Sequence, residues 1–202
     1  MNEFTFGALS GWDLYDPGNI TSNGDGPAFF IGTLTPTAPV FLTTGAAEGA
    51  RVGIAFNRAA TGGTGEYGLE QTLSTNLQAN TTYTLDVEIG NIASGTAQSN
   101  EFFNLDGFPG YRVDILAGGV VVAQDLNALA GTIPEGEFST STVMFTTGAT
   151  HAQLGQALQI RLVNLNVVDA AFPLADLEVD FDNVRFDATL AAVPEPSTGM
   201  SC

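Results

Sequence analysis

The sequence predicts an all-β fold, an antiparallel β-sandwich of jelly-roll-like form, and three observations carry that expectation. Glycine supplies 24 of the 202 residues, well above the usual ~7%, so sharp turns are frequent. Apolar and polar residues alternate in several short runs, the two-residue period of a half-buried strand. Those runs are separated by Gly, Asn, Asp and Pro clusters with no regular helical repeat, which favours a sandwich over an α/β sheet. With 44% apolar and 13% charged residues, the chain can bury one core. That core is placed at residues 1–187, and residues 188–202 read as a flexible tail.

Along the chain, residues 18–48 carry three Pro and many Thr and Gly. They read as a large, mostly irregular excursion with one or two short strands, and loops of that length are often functional. A strand follows at 51–56, then a Gly/Thr loop at 61–65. Tyr67 to Leu73 is assigned as a strand, although Leu69, Leu73 and Leu77 recur every four residues and suit a helix face equally. Alternation is clearest at Tyr83, Leu85, Val87 and Ile89. Tyr111, Val113 and Ile115 repeat it, and Gly118-Gly119 joins Leu116 to Val120 as a hairpin with a primed turn. Ala123 to Ala130 is expected as a short helix. Further strands are expected at 138–146, 158–163 and 177–186.

The net charge is −17, with five Arg and no Lys. Phosphate backbones and anionic lipid surfaces both require basic clusters, so nucleic acid and membrane surfaces are disfavoured as partners. Divalent cations or neutral ligands fit better. The single Cys, Cys202, excludes a disulfide framework and a Cys-rich metal site. No stretch holds the roughly 20 apolar residues of a membrane span, and the start lacks the pattern of an export signal.

Asp176, Glu178, Asp180 and Asp182 alternate with Leu177, Val179 and Phe181, which puts four carboxylates on one strand face, about 6.6 Å apart along it. A face screened by water is the first expectation, and a hard cation bound by several oxygens is the second. The alternation slips after Asp182 to Val184 and Phe186, as a β-bulge would make it, and a bulge re-aims side chains. Glu178 to Asp182 also resembles the Glu-x-Asp-x-x-Glu signature of retaining jelly-roll glycosidases. Positions 178 and 182 are about 13 Å apart on a regular strand, far beyond the ~5–5.5 Å between carboxyls that retaining hydrolysis requires, so the chain is read as non-catalytic. The stretch 63–68 matches G-x-G-x-x-G literally but lacks the strand-turn-helix context of a dinucleotide site. His151, the only His, reads as a surface loop residue. Arg112 and Arg161 are expected on an outer face, paired with Asp86, Glu88 or Asp114. Trp12, Tyr15, Tyr67 and Phe108 are the loop-borne aromatic candidates for stacking on a sugar.

Val193-Pro194-Glu195-Pro196-Ser197-Thr198 resembles the start of the PEP-CTERM sorting signal of Gram-negative bacteria, here without the membrane helix and Arg cluster that follow it in that family. Gly11-Trp12, the 69–73 and 77–85 segments, Tyr111-Arg112-Val113 and Phe181-Asp182-Asn183-Val184-Arg185 are similar to the extracellular domains that precede such signals. That resemblance implies a galactose-binding-like jelly roll on a secreted or cell-surface protein. It also implies a structural calcium near the terminal strands, for which Asp182, Asp180 and Glu3 are the candidate ligands. The expected function is a non-catalytic module that binds extracellular polysaccharide. The alternative is a self-assembling subunit, because the short start at 1–6 leaves a strand position open to exchange.

Overall fold

The computed structural model describes residues 3–7, 9–26, 28–58 and 63–190. The Val193–Thr198 motif and Cys202 lie outside them. Among the described residues the chain forms strands only: β1 (Phe4–Phe6), β2 (Asp13–Tyr15), β3 (Phe29–Leu34), β4 (Val52–Asn57), β5 (Tyr67–Asn76), β6 (Thr81–Asn91), β7 (Gly95–Thr96), β8 (Phe102–Phe103), β9 (Tyr111–Ala117), β10 (Val120–Leu126), β11 (Glu137–Thr146), β12 (Ala157–Asn164) and β13 (Leu177–Leu190). A six-stranded sheet runs β1-β3-β4-β13-β6-β11, and a five-stranded sheet runs β10-β9-β12-β5-β2. β7 and β8 form a separate small hairpin. Every ladder is antiparallel, as the alternation predicts, and the architecture is the jelly-roll-like sandwich.

The alternating residues close the inter-sheet core. Tyr83, Leu85, Val87 and Ile89 of β6 meet Tyr111, Val113 and Ile115 of β9, together with Tyr67, Leu69, Ile160 and Leu162. The β9–β10 turn uses Gly118 and Gly119 at φ 58 and 80, the left-handed pair that a primed two-residue turn requires. Two local expectations give way to tertiary pairing. The Leu69–Leu73–Leu77 repeat lies along and just past strand β5, where the β12 ladder takes up its backbone groups. Residues 123–126 continue β10 against β9 instead of turning into a helix.

On its β3–β4 side the six-stranded sheet is apolar on both faces. Phe29 turns toward the inter-sheet core while Phe30, its neighbour, joins a second cluster on the outer face with Leu34, Val52, Ile54 and Phe56. That outer face is roofed by the 35–51 strap, whose Phe41 and Leu42 are buried, and by the 92–105 segment that carries the β7–β8 hairpin. Backbone hydrogen bonds from Ala93 N–H to the Phe41 carbonyl (2.9 Å) and from Thr43 N–H to the Gly136 carbonyl (2.8 Å) pin the strap down. β1 pairs with β3 at the sheet edge, so the position expected to stand open for strand exchange is filled by the chain itself.

Candidate active site

The roof and the outer face enclose a cavity of about 660 Å³, within the usual range for small-molecule sites. Its floor follows from strand register. Phe30 of β3 is opposite Phe56 of β4, and Phe56 is opposite Glu178 of β13, so one line across the sheet reads Phe30, Phe56, Glu178. Phe30 and Phe56 stack with centroids 4.9 Å apart. Phe6 meets Phe30 edge-on at 4.6 Å, and Phe103 meets Phe56, Phe4 and Phe41 at 5.9, 5.7 and 6.4 Å. Six Phe rings thus form a continuous wall. Glu3, Arg58, Gln98, Ser99 and Glu101 line the same cavity, and an Arg58–Glu101 ion pair of 2.8 Å is among them.

Glu178 is the acid on that wall. It is 4% exposed, and Asp180, two residues on and on the same face, is fully enclosed. Glu178 Oε1 and both Asp180 oxygens are buried without a hydrogen-bond donor. Two ionised carboxylates so placed would repel in a poorly solvated site, so the pair retains a proton. Burial, reinforced by the Asp180 charge, holds the Glu178 carboxyl well above the carboxylate range. Burial likewise pushes Asp180 up to about 7. Room for Asp180 comes from Gly90 on β6, where a Cβ would lie 2.8 Å from both the Asp180 Cβ and a Phe138 ring carbon. A neutral carboxyl facing an aromatic cavity is a proton donor in a water-poor setting.

The water-screened acidic face expected for 176–182 is therefore corrected: the strap and hairpin cover that face. The expected bulge is present. The β13–β6 register shifts between Asp182 and Arg185, and Asn183 takes φ 47. Asp182 accepts N–H bonds from Glu48 and Asn183, both at 2.8 Å. Glu3 precedes β1, and β3 and β4 lie between β1 and β13, a backbone separation of roughly 14 Å at strand spacing. Glu3 and Asp182 therefore do not share an ion, and Asp180 faces Glu178. Among the described residues no three His, Cys, Asp or Glu side chains gather to hold a metal.

The aromatic candidates are scattered. Tyr67 is fully enclosed in the inter-sheet core and offers no face to a ligand. Phe108 packs on that core beside Tyr111, and Trp12 packs at its edge. Tyr15 donates to Glu66 at 2.6 Å, and its ring is covered by the Arg161 guanidinium at 4.0 Å. Arg112 pairs with Glu66 and Asp114, and Arg161 with Glu70 at 2.6 Å, on the outer face of the five-stranded sheet. Asp86 and Glu88 instead accept from Thr142 and Thr140 across the β6–β11 ladder. His151 sits edge-on to Phe145. None of these residues reaches the cavity.

The cavity Phe residues have a sequence signal of their own: Phe29-Phe30 and Phe102-Phe103 place adjacent rings on opposite faces, and the run Ile54-Ala55-Phe56 is apolar at every position. A strand without alternation is one buried on both faces.

Comparison with known proteins converges on one family. The HpiC1-like family model (HpiC1 cyclase) matches residues 1–187. An apo cyclase from Fischerella sp. superposes with a TM-score of 0.78 at 38% identity, over 95% of this chain and 89% of that one. A Fischerella sp. TAU cyclase in complex with 4-(1H-indol-3-yl)butan-2-one gives 0.77 and 38%, over 94% and 90%. The Stig cyclase Fisc from Fischerella sp. TAU, in complex with (3Z)-3-(1-methyl-2-pyrrolidinylidene)-3H-indole, gives 0.76 and 38%, also over 94% and 90%. No curated protein matches in sequence. These relatives overturn the PEP-CTERM resemblance, the non-catalytic polysaccharide-binding module and the self-assembling subunit. They are cyclases, two of them holding small indoles, and a match over 1–187 leaves the tail motif without a part in the assignment. The chain belongs to the HpiC1-like cyclase family.

Proposed function

We propose that this protein is a cyclase acting on an indole-bearing small molecule held in the Phe-lined cavity, with Glu178 as the proton donor. The carrying observation is the buried Glu178 carboxyl, without a donor on Oε1, set in line with Phe56 and Phe30. The indoles bound by the Fischerella relatives support the ligand class.

The chemistry follows from the groups present. Glu178 gives its proton to an unsaturated or imine position of the substrate and becomes a carboxylate, leaving a cation on the substrate. An alkene of the same molecule attacks that cation, forming the ring bond. The ring cation then loses a proton back to Glu178, which restores the acid. Atoms and electrons balance with no co-reactant, so product and substrate are isomers. Phe faces stabilise the cation through their quadrupoles, and the apolar wall limits the water that can reach it.

Calcium belongs to this proposal only as a structural ion. Asp182, on the bulge beside Glu48, is its candidate ligand, a carboxylate of the kind a hard cation accepts.

Calorimetric titration with 4-(1H-indol-3-yl)butan-2-one tests the ligand reading. Wild type is expected to bind it, and Ser99→Trp, at an exposed position on the cavity lining, is expected to lose that binding while keeping its melting temperature. Equal binding by both proteins would place the indole elsewhere.

A further inference from the structure

The cavity holds a second acid that the proton-transfer scheme leaves unused. Glu3, just before β1, is 8% exposed and lines the cavity. Its backbone carbonyl accepts the Thr35 N–H at 2.7 Å, and its Oε2 accepts the Gln98 N–H at 2.7 Å. Those two bonds fix the side chain between the start of the sheet and the roof. Among the described residues none donates to Oε1 and none forms an ion pair with Glu3, whereas Glu101 on the same lining is matched by Arg58.

A buried charge without a countercharge is costly, and the cost falls when a cation enters beside it. The neighbouring rings suit such a guest. Phe4 follows Glu3 directly and joins Phe41 and Phe103, and Phe103 already carries a guanidinium, Arg58, 5.8 Å from its centroid. Phe rings and an unmatched carboxylate together make a pocket for an organic cation. Register puts Glu178 in line with Phe56 and Phe30, whereas Glu3 precedes Phe4, which is in line with Leu34 and Val52. The two acids are therefore roughly 20 Å apart at the backbone level, and the ligand's nitrogen meets Glu3 at its own end of the cavity.

We propose that Glu3 is a specificity-determining residue of this cavity, holding a positively charged nitrogen of the ligand against Phe4, Phe41 and Phe103, so that the favoured ligand class is an indole carrying a cationic amine or iminium. This rests on the indole reading above and adds the charge. Glu3 marks one end of the cavity for charge recognition, and Glu178 marks the other for proton transfer.

Tryptamine and tryptophol separate the two claims, since they share the indole and arm length and differ in ammonium against hydroxyl. By calorimetry, wild type is expected to bind tryptamine about tenfold more tightly, the scale of one charge-assisted hydrogen bond. Glu3→Gln, which keeps an oxygen to accept the Gln98 N–H, is expected to equalise the two ligands and leave tryptophol unchanged. Asp187→Asn, exposed far along β13, is expected to keep the preference, which separates a local carboxylate from the field of a −17 protein. Tryptophol binding without a tryptamine preference, or a preference that survives Glu3→Gln, overturns the role of Glu3 alone. Failure of both indoles to bind wild type overturns the indole reading and this inference with it.

Discussion

Glu178 lies directly opposite Phe56 across the β4–β13 ladder, and Phe56 is stacked on Phe30 at 4.9 Å. The relationship is fixed by backbone register, so the acid cannot leave the aromatic wall without a slip that would also turn Val179 and Phe181 out of the inter-sheet core. The proton donor is thus held by the fold itself.

Holding Glu178 neutral makes stability depend on pH. Its folded pKa is raised well above the ordinary glutamate value of about 4.5, by burial first and then by the Asp180 charge. A raised pKa contributes stability in full below 4.5 and loses it as pH climbs from there toward the folded value. Unfolding free energy of wild type is expected to fall by up to about 1.4 kcal/mol per pH unit in that window. Glu178→Gln, which has no proton to release on unfolding, is expected to show a shallower fall. Urea titrations at pH 5 and pH 8 measure the difference, and parallel slopes would contradict the buried neutral acid.

Gly90 is the second restraint. Gly90→Ala would put a methyl group 2.8 Å from the Asp180 Cβ and a Phe138 ring carbon. The expected cost is about 1–3 kcal/mol, the range for forced overpacking, read from chemical denaturation. A neutral result would mean that β6 and β13 have slack that this packing denies.

Phe103 joins the roof to the wall. Phe103→Ala removes its contacts with Phe4, Phe41 and Phe56 and is expected to cost about 2–3 kcal/mol, since this half-buried ring falls short of the ~3–5 kcal/mol of enclosed Phe truncations. Affinity for 4-(1H-indol-3-yl)butan-2-one should fall with it. Full affinity would show that the indole does not touch this ring.

Millimolar calcium is expected to raise the melting temperature, by the equivalent of about 2.7 kcal/mol at a hundredfold excess over Kd. Magnesium should do less, because it demands tighter octahedral geometry, and Asp182→Ala should remove most of the difference. Equal shifts from calcium, magnesium and NaCl of matched ionic strength would show screening alone.

The sandwich was legible because alternation and turn chemistry are local signals. Tyr83 to Ile89 and Gly118-Gly119 announce their roles within a few residues, and the slip after Asp182 announces the bulge. The cavity was not legible in the same way. Whether Glu178 faces water or a roof depends on where the 35–51 strap and the 92–105 segment come to rest, more than 70 residues away in sequence. Phe41 and Leu42 give no local sign that they close over β13. Glu3 drew attention as a metal ligand, yet its partners, Thr35 and Gln98, come together only once β1 pairs with β3 and the roof folds down.

The central claim is that Glu178 supplies the proton for an isomerising ring closure. It is tested most directly by following, with mass spectrometry, an indole that carries an alkenyl chain, incubated with wild type and with Glu178→Gln. The account predicts a cyclised product of unchanged mass from wild type and a rate about 10²–10⁴ lower for the variant, with binding of 4-(1H-indol-3-yl)butan-2-one preserved and a melting temperature no lower than that of wild type. Wild-type turnover by Glu178→Gln would contradict it.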